Sequence, residues 1–136
     1  MSDRLNLVPI GIVHKKNGRS WIEIDKQYAD GLLGLYRFSH IHVLFWFHEN
    51  DNPESRNIMQ VHPRRDQKNP LTGVFATHSP VRPNLIGSTR CRILSIKDLV
   101  IDIEEIDARN NTPVLDIKCY IPTGAADKDT FVPDWV

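Results

Sequence analysis

The chain has 136 residues, 40% hydrophobic and 25% charged, with acids and bases in equal number. That composition fits one globular domain with a single hydrophobic core and excludes a disordered or low-complexity chain. The longest apolar run, residues 43–47, is far too short for a membrane helix, and the first nine residues lack the apolar core of a signal peptide. The expectation is a cytoplasmic protein without a membrane partner.

The zero net charge conceals a split. Residues 56–92 carry seven Lys/Arg against one acid, Asp66, and the other segments carry ten bases against sixteen acids. A basic middle is the footprint of a phosphate-binding surface, or of solvated loop charge balanced by acids elsewhere. Composition leaves both open.

In chain order, residues 7–14 and 20–24 read as strands joined around Asn17-Gly18, a strong hairpin-turn pair. Residues 26–35 fit one or two helical turns ended by Gly31 or Gly34. Residues 39–47 are rich in β-branched and aromatic side chains and read as a central strand ending at His48-Glu49. On the residues alone, His48 is a strand-end histidine satisfied by the next loop. Residues 50–71 have no clear periodicity and contain Pro53, Pro63 and Pro70. A stretch that long in a small domain is functional or mobile. It includes His62-Pro63-Arg64-Arg65, a weak motif by itself.

Residues 73–90 are the most informative. Val74-Phe75-Ala76 is a short apolar run that turns polar at Thr77-His78-Ser79, followed by Pro80 and Pro83, which fix φ and extend the residues before them. Asn84 and Gly87 suit tight-turn angles, and a strand pattern returns at Thr89. Two strands joined by a rigid loop, with His78, Arg82, Asn84 and Arg90 nearby, point to a binding site. Beyond it, Leu99, Ile101 and Ile103 alternate with polar positions, as do Leu115, Ile117, Cys119 and Ile121. The polar turn between them holds Asp107, which on its own reads as a turn cap or as a ligand. Phe131 and Trp135 in the tail are expected to dock on the body or on a second subunit. Cys91 and Cys119 are expected as free thiols inside strands. Together the elements predict an all-β fold, a barrel or a sandwich, in one domain spanning residues 1–136 with short helical turns and long functional loops.

Several chemistries lack their signatures. No dinucleotide fingerprint, P-loop or nucleophile elbow is present. The histidines at 14, 40, 42, 48, 62 and 78 have no zinc-protease spacing, and His40 and His42 read as strand-face residues, so no metal is expected.

The central loop also carries a family likeness. Gly73-Val74-Phe75-Ala76-Thr77, Ser79, Arg82-Pro83-Asn84 and Ile86-Gly87 resemble the GVFATRS-x-x-RPNPIG pattern of the TsaA/TrmO-like (YaeB) proteins. Three more blocks agree in order: Pro9-Ile10-Gly11, residues 35–48 (LYRFSHIHVLFWFH) and residues 112–122 (TPVLDIKCYIP). The resemblance covers nearly the whole chain. It implies a β-barrel, dimeric, S-adenosylmethionine-dependent methyltransferase acting on threonylcarbamoyl-adenosine beside the tRNA anticodon. The alternatives are a methyltransferase for a small molecule and a non-catalytic module that binds S-adenosylmethionine or RNA.

Carried over residue by residue, the likeness assigns the cofactor to His48, Glu49, Phe75, Ala76, Thr77, His78, Ser88, Glu104, Glu105, Ile106 and Asp107. It assigns tRNA contacts to Arg64, Arg65, Arg82, Asn84 and Arg90. No residue stands out as a catalytic base. The chain departs from the pattern where His78 replaces arginine, Leu85 replaces the second proline, Asn111 replaces the glycine before Thr-Pro, and Cys119 replaces proline. Its first hairpin connection also lacks the insertion of longer members. These departures leave the substrate open to divergence from the tRNA-modifying members.

Overall fold

The computed structural model describes residues 3–124 and 128–136. They group into two compact units, one made of the chain up to His48 with Ile86–Tyr120, the other of Glu49–Leu85 with Ile121–Val136.

The first unit is a closed six-stranded barrel. Its strands are β1 (Gly11–Lys16), β2 (Arg19–Ile24), β3 (His40–Trp46), β6 (Ile86–Lys97), β7 (Val100–Ile103) and β8 (Pro113–Cys119). Around the barrel they run β1-β2-β7-β6-β3-β8, every neighbouring pair antiparallel. The period-two pattern turns one side chain in two inward. Val13, Ile22, Ile41, Val43, Ile101 and Val114 are fully buried there. Closure leaves no unpaired edge, which suits a sequence with so many short strands.

Local chemistry explains the turns. Asn17 and Gly18 have φ of 51° and 79°, the left-handed pair of a two-residue hairpin whose twist matches its strands. Gly11 sits where a Cβ would lie 2.4 Å from the Glu23 carbonyl oxygen. Only glycine lets β1 pass so close to β2. Gly87 on β6 leaves room for the rings of Phe45 and Phe47, which meet edge to face at 5.5 Å.

The second unit contains the short helix α1 (Pro53–Asn57) and the two-residue strands β4 (Gln60–Val61) and β5 (Thr72–Gly73), paired antiparallel. Asn52 caps α1, its side chain accepting the Ser55 N–H at 2.7 Å.

The expected elements are present, with corrections. Residues 7–10 lie outside β1, although the Ile10 N–H bonds the Val114 carbonyl at 2.8 Å. Residues 26–37 form 3-10 turns, Lys26–Leu32 and Leu35–Arg37. Residues 50–71 hold α1 and β4, where periodicity showed nothing, because elements of two to five residues span too few turns or alternations for a pattern to repeat. Val74–Ala76 is a 3-10 turn and no strand. In β8 the register shifts opposite Leu44/Phe45, so Leu115 bulges out and Val114 takes the inward position. Phe131 is 92% exposed and does not dock on the body. Cys91 and Cys119 are free; they flank Ile41 from opposite sides, two strand spacings or about 10 Å apart, beyond disulfide reach.

Candidate functional site

Because the barrel alternates direction at every strand, β1, β3 and β7 all finish at one end. Three connections meet that end: the Asn17-Gly18 turn, the departure of the chain at His48, and the loop of residues 104–112 between β7 and β8. The structure thereby gathers His48, Glu104, Glu105, Ile106 and Asp107 onto one rim of the barrel.

The 104–112 loop is held by bonds that a sequence does not reveal. The Lys15 N–H donates to Asn110 Oδ1 at 2.8 Å, and the Lys15 ammonium donates to the Ile106 carbonyl. Asn111 N–H bonds the Val13 carbonyl at 2.8 Å, and both the N–H and the hydroxyl of Thr112 bond the Arg109 carbonyl. Asn111 has φ of 71°, which explains why a glycine or an asparagine serves at this position. Ile106 points its side chain into the core. Glu104, Glu105 and Asp107 are exposed, and the Asp107 carboxylate makes no hydrogen bond or ion pair among the described residues. The loop is stiff and its carboxylate is available. An exposed carboxylate on such a loop can accept hydrogen bonds from hydroxyl or ammonium groups.

Ser88 and Arg90 are exposed on β6, opposite Leu44 and His42 of β3. Both face outward from the barrel wall, and Ser88 is two residues from Ile86, where β6 starts at the rim end. The Arg90 guanidinium lies 4.9 Å over the Tyr120 ring.

The remaining candidates lie in the second unit. The central loop is locked by its own side chains. The Thr77 hydroxyl donates to the Val74 carbonyl at 2.9 Å and accepts the Ser79 N–H, while the Ser79 hydroxyl accepts the Val81 N–H. Arg82 donates to the Thr77 and Ser79 carbonyls at 3.2 and 3.1 Å, so one of its nitrogens clamps the loop. Thr77 is likewise engaged in the loop's own bonding. What remains exposed is Phe75, at 80%, with Ala76, His78 and Asn84; Glu49 is also exposed.

Arg64 and Arg65 sit in the loop between β4 and β5 and both have positive φ, 58° and 57°. Two successive non-glycine residues in the left-handed region hold conformations that cost energy unless the surroundings impose them. Those surroundings are bonds from the His62 ring to the Asn69 carbonyl at 2.8 Å and from the Asn69 amide to the Pro63 carbonyl at 2.8 Å. Both arginine side chains are left exposed.

Sequence reasoning missed Lys15, Asn110, Asn69 and Arg56. Arg56 Nε donates to the Pro83 carbonyl at 3.0 Å and its guanidinium meets Asp51 at 3.3 Å, anchoring the far side of the central loop. The pairing of 56 with 83 spans sequence too distant for any local signal. No cluster of metal-ligating side chains occurs among the described residues, nor does any helix long and apolar enough to cross a membrane.

The sequence matches the tRNA-methyltransferase O N-terminal domain over residues 3–127. It is 47% identical over 114 residues to a probable S-adenosyl-L-methionine-binding protein of Methanocaldococcus jannaschii, covering 84% of this chain and 90% of that one. Against the tRNA (adenine(37)-N6)-methyltransferase of Escherichia coli it is 38% identical over 116 residues, covering 82% of this chain and 48% of the enzyme. The crystal structure of TrmO from Pseudomonas aeruginosa superposes with a TM-score of 0.75 at 26% identity, covering 99% of this chain and 63% of that one. This chain thus spans nearly all of its archaeal relative and about half to two thirds of the bacterial proteins.

Proposed function

The chain belongs to the tRNA-methyltransferase O family, and from that membership we infer that it is an S-adenosylmethionine-dependent methyltransferase acting on N6 of adenine 37 in tRNA. Residues 1–136 are read as one functional domain, since the family match runs through both compact units.

The observation that carries the reading is the stiffened rim loop whose exposed Asp107 carboxylate has no partner among the described residues. A carboxylate fixed this way suits the ribose hydroxyls or the α-ammonium of the cofactor. Glu104 and Glu105 supply further acceptors, and the Ile106 backbone sets the loop's depth. His48, Glu49 and Ser88 are assigned to the same ligand with Phe75, Ala76, Thr77 and His78, where exposed Phe75 offers a ring face to adenine. The rim residues fit the group: Glu104, Glu105 and Asp107 are exposed acids for its polar ends.

When bound, S-adenosylmethionine supplies an electrophilic methyl group on a sulfonium. The protein's share is to orient the acceptor, exclude water and balance charge. Exposed Arg64 and Arg65, with Arg82, Asn84 and Arg90, are assigned to tRNA. Arg82 acts chiefly by holding the loop in shape. No residue is assigned as general base. We place the protein in the cytoplasm, where its substrate is, and as a homodimer, to which exposed Phe131 contributes apolar surface.

A narrower substrate shift is supported by His78, which stands exposed where the family pattern has arginine. The experiment is transfer of labelled methyl from S-adenosylmethionine to tRNA with and without threonylcarbamoyl-adenosine. Transfer to either tRNA supports the methyltransferase reading, and transfer confined to the threonylcarbamoylated form rules out the shift. Absence of transfer to both contradicts the tRNA reading.

A further inference from the structure

The outer wall of the barrel carries a cationic surface outside the proposed cofactor rim. Strands β6, β3 and β8 lie side by side, and their outward positions are set by register. His42 faces Arg90 on one side and Lys118 on the other; His40 faces Arg92, and its carbonyl accepts the Tyr120 N–H at 3.0 Å. Arg90, Arg92 and Lys118 are exposed.

The array is ordered by an aromatic hub. Tyr120 meets the His42 ring edge to face at 5.3 Å and the His40 ring at 6.2 Å, and the Arg90 guanidinium lies over it at 4.9 Å. Cation–π contact holds a guanidinium in place without neutralising it. The nearest acids do not quench the charge. Asp116 turns back to accept its neighbour's N–H, from Ile117 at 2.9 Å, and Glu104 is joined to Arg92 only through backbone. None of the three cations forms an ion pair among the described residues.

We propose that this β6–β3–β8 face binds the RNA phosphate backbone, with Arg90, Arg92 and Lys118 as the phosphate contacts and Tyr120 as the positioning residue that fixes Arg90. Alternate residues on a strand are about 7 Å apart and next-but-one strands about 10 Å, so the cations form a lattice that a folded polyanion can lie across. The proposal rests on the RNA-substrate reading above and extends the contact assigned there to Arg90 across the barrel wall to Arg92 and Lys118.

The test is fluorescence anisotropy of a labelled tRNA transcript with the full chain and an Arg92→Ala/Lys118→Ala variant, over a range of salt. Binding is expected to weaken tenfold or more, and the log–log salt slope to shrink by about 0.7 to 0.9 per cation removed. Arg92→Lys should keep the slope. Tyr120→Leu should weaken binding while leaving the slope nearer to wild type. Calorimetric titration with S-adenosylmethionine should be unchanged in Arg92→Ala/Lys118→Ala, which separates this proposal from the cofactor reading. Unchanged RNA affinity and slope in that variant would overturn the proposal, as would a shift in its oligomeric state, which would make the face a self-interface. Wild-type protein that transfers methyl groups yet ignores these substitutions would keep the enzyme reading and remove this surface.

Discussion

The two outer faces of the barrel handle charge in opposite ways. On the β1–β2–β7 side, Arg19 bonds Asp102 at 2.6 Å, Ser95 reaches the same carboxylate from β6, and His14 meets Glu23 at 3.3 Å. Trp21 lies between, stacked on His14 at 5.2 Å and covered by the Arg19 guanidinium at 4.2 Å. There the charged groups find partners within the face and have little left for a ligand. On the β6–β3–β8 side a tyrosine replaces the tryptophan as hub, and among the described residues no carboxylate pairs with Arg90, Arg92 or Lys118. Surface ion pairs stabilise little, so the two faces differ less in what they hold together than in what they can receive.

The strongest way to break the comparison is at the seam. Gly11 pairs with Ile24 on one side and Val114 on the other, joining the two faces. Gly11→Ala would drive a Cβ into the Glu23 carbonyl, and overpacking against backbone should cost about 3 kcal/mol. Thermal unfolding should show a large drop, with both faces lost together. A variant as stable as wild type would mean that the strands can separate there.

A second effect lies beneath the cationic face. Burial pushes the Cys91 thiol up to about 11. Its raised folded value means that stability is intact below pH 9 and declines as pH rises toward 11, while the unfolded thiol ionises and the folded one does not. Urea titrations across that window should show the decline in wild type and a flatter profile in Cys91→Val. Identical profiles would contradict it.

His42→Glu sharpens the contrast by placing a carboxylate directly between Arg90 and Lys118. Cross-strand pairing should raise stability by about 0.5 kcal/mol while RNA binding falls. Stronger RNA binding would contradict the assignment of the face. The smallest effect is expected on the closed face. The hydrogen bond from Arg19 holds the Asp102 carboxyl below its ordinary range. Its contribution is present at neutral pH and lost as pH falls through the folded value, so Asp102→Asn should flatten the acid limb of the stability profile slightly. An acid limb unchanged by the substitution would show the pair to be idle.

Much of this was legible in the sequence, for reasons that can be named. Asn17-Gly18 announced its hairpin because few other pairs accept two left-handed residues in succession. β-Branched and aromatic composition located β3, alternation located β7 and β8, and the resemblance to the family pattern anticipated a barrel. Asn111 marked its turn by standing where the family keeps glycine. The bulge at Leu115 was invisible, because one extra residue reverses inside and outside without altering composition. So were the clamps: Arg82 looked like a ligand-binding guanidinium and is partly spent on carbonyls of its own loop. Lys15 carried no signal at all, since its partners Ile106 and Asn110 are more than ninety residues away. Local patterns show where the chain turns. They do not show which polar groups are consumed by the fold and which are left for a ligand.

Asp107 is where that distinction matters most, and calorimetric titration with S-adenosylmethionine of wild type and Asp107→Ala tests it directly. The account predicts binding by wild type and a loss of roughly tenfold to a hundredfold in the variant, the worth of about 1.5–3 kcal/mol for a hydrogen bond to a charged group. It also predicts an unchanged melting temperature, because the carboxylate bonds to nothing among the described residues. Equal affinity of the two proteins, or no binding by wild type at millimolar ligand, would contradict the assignment of the rim loop to the cofactor.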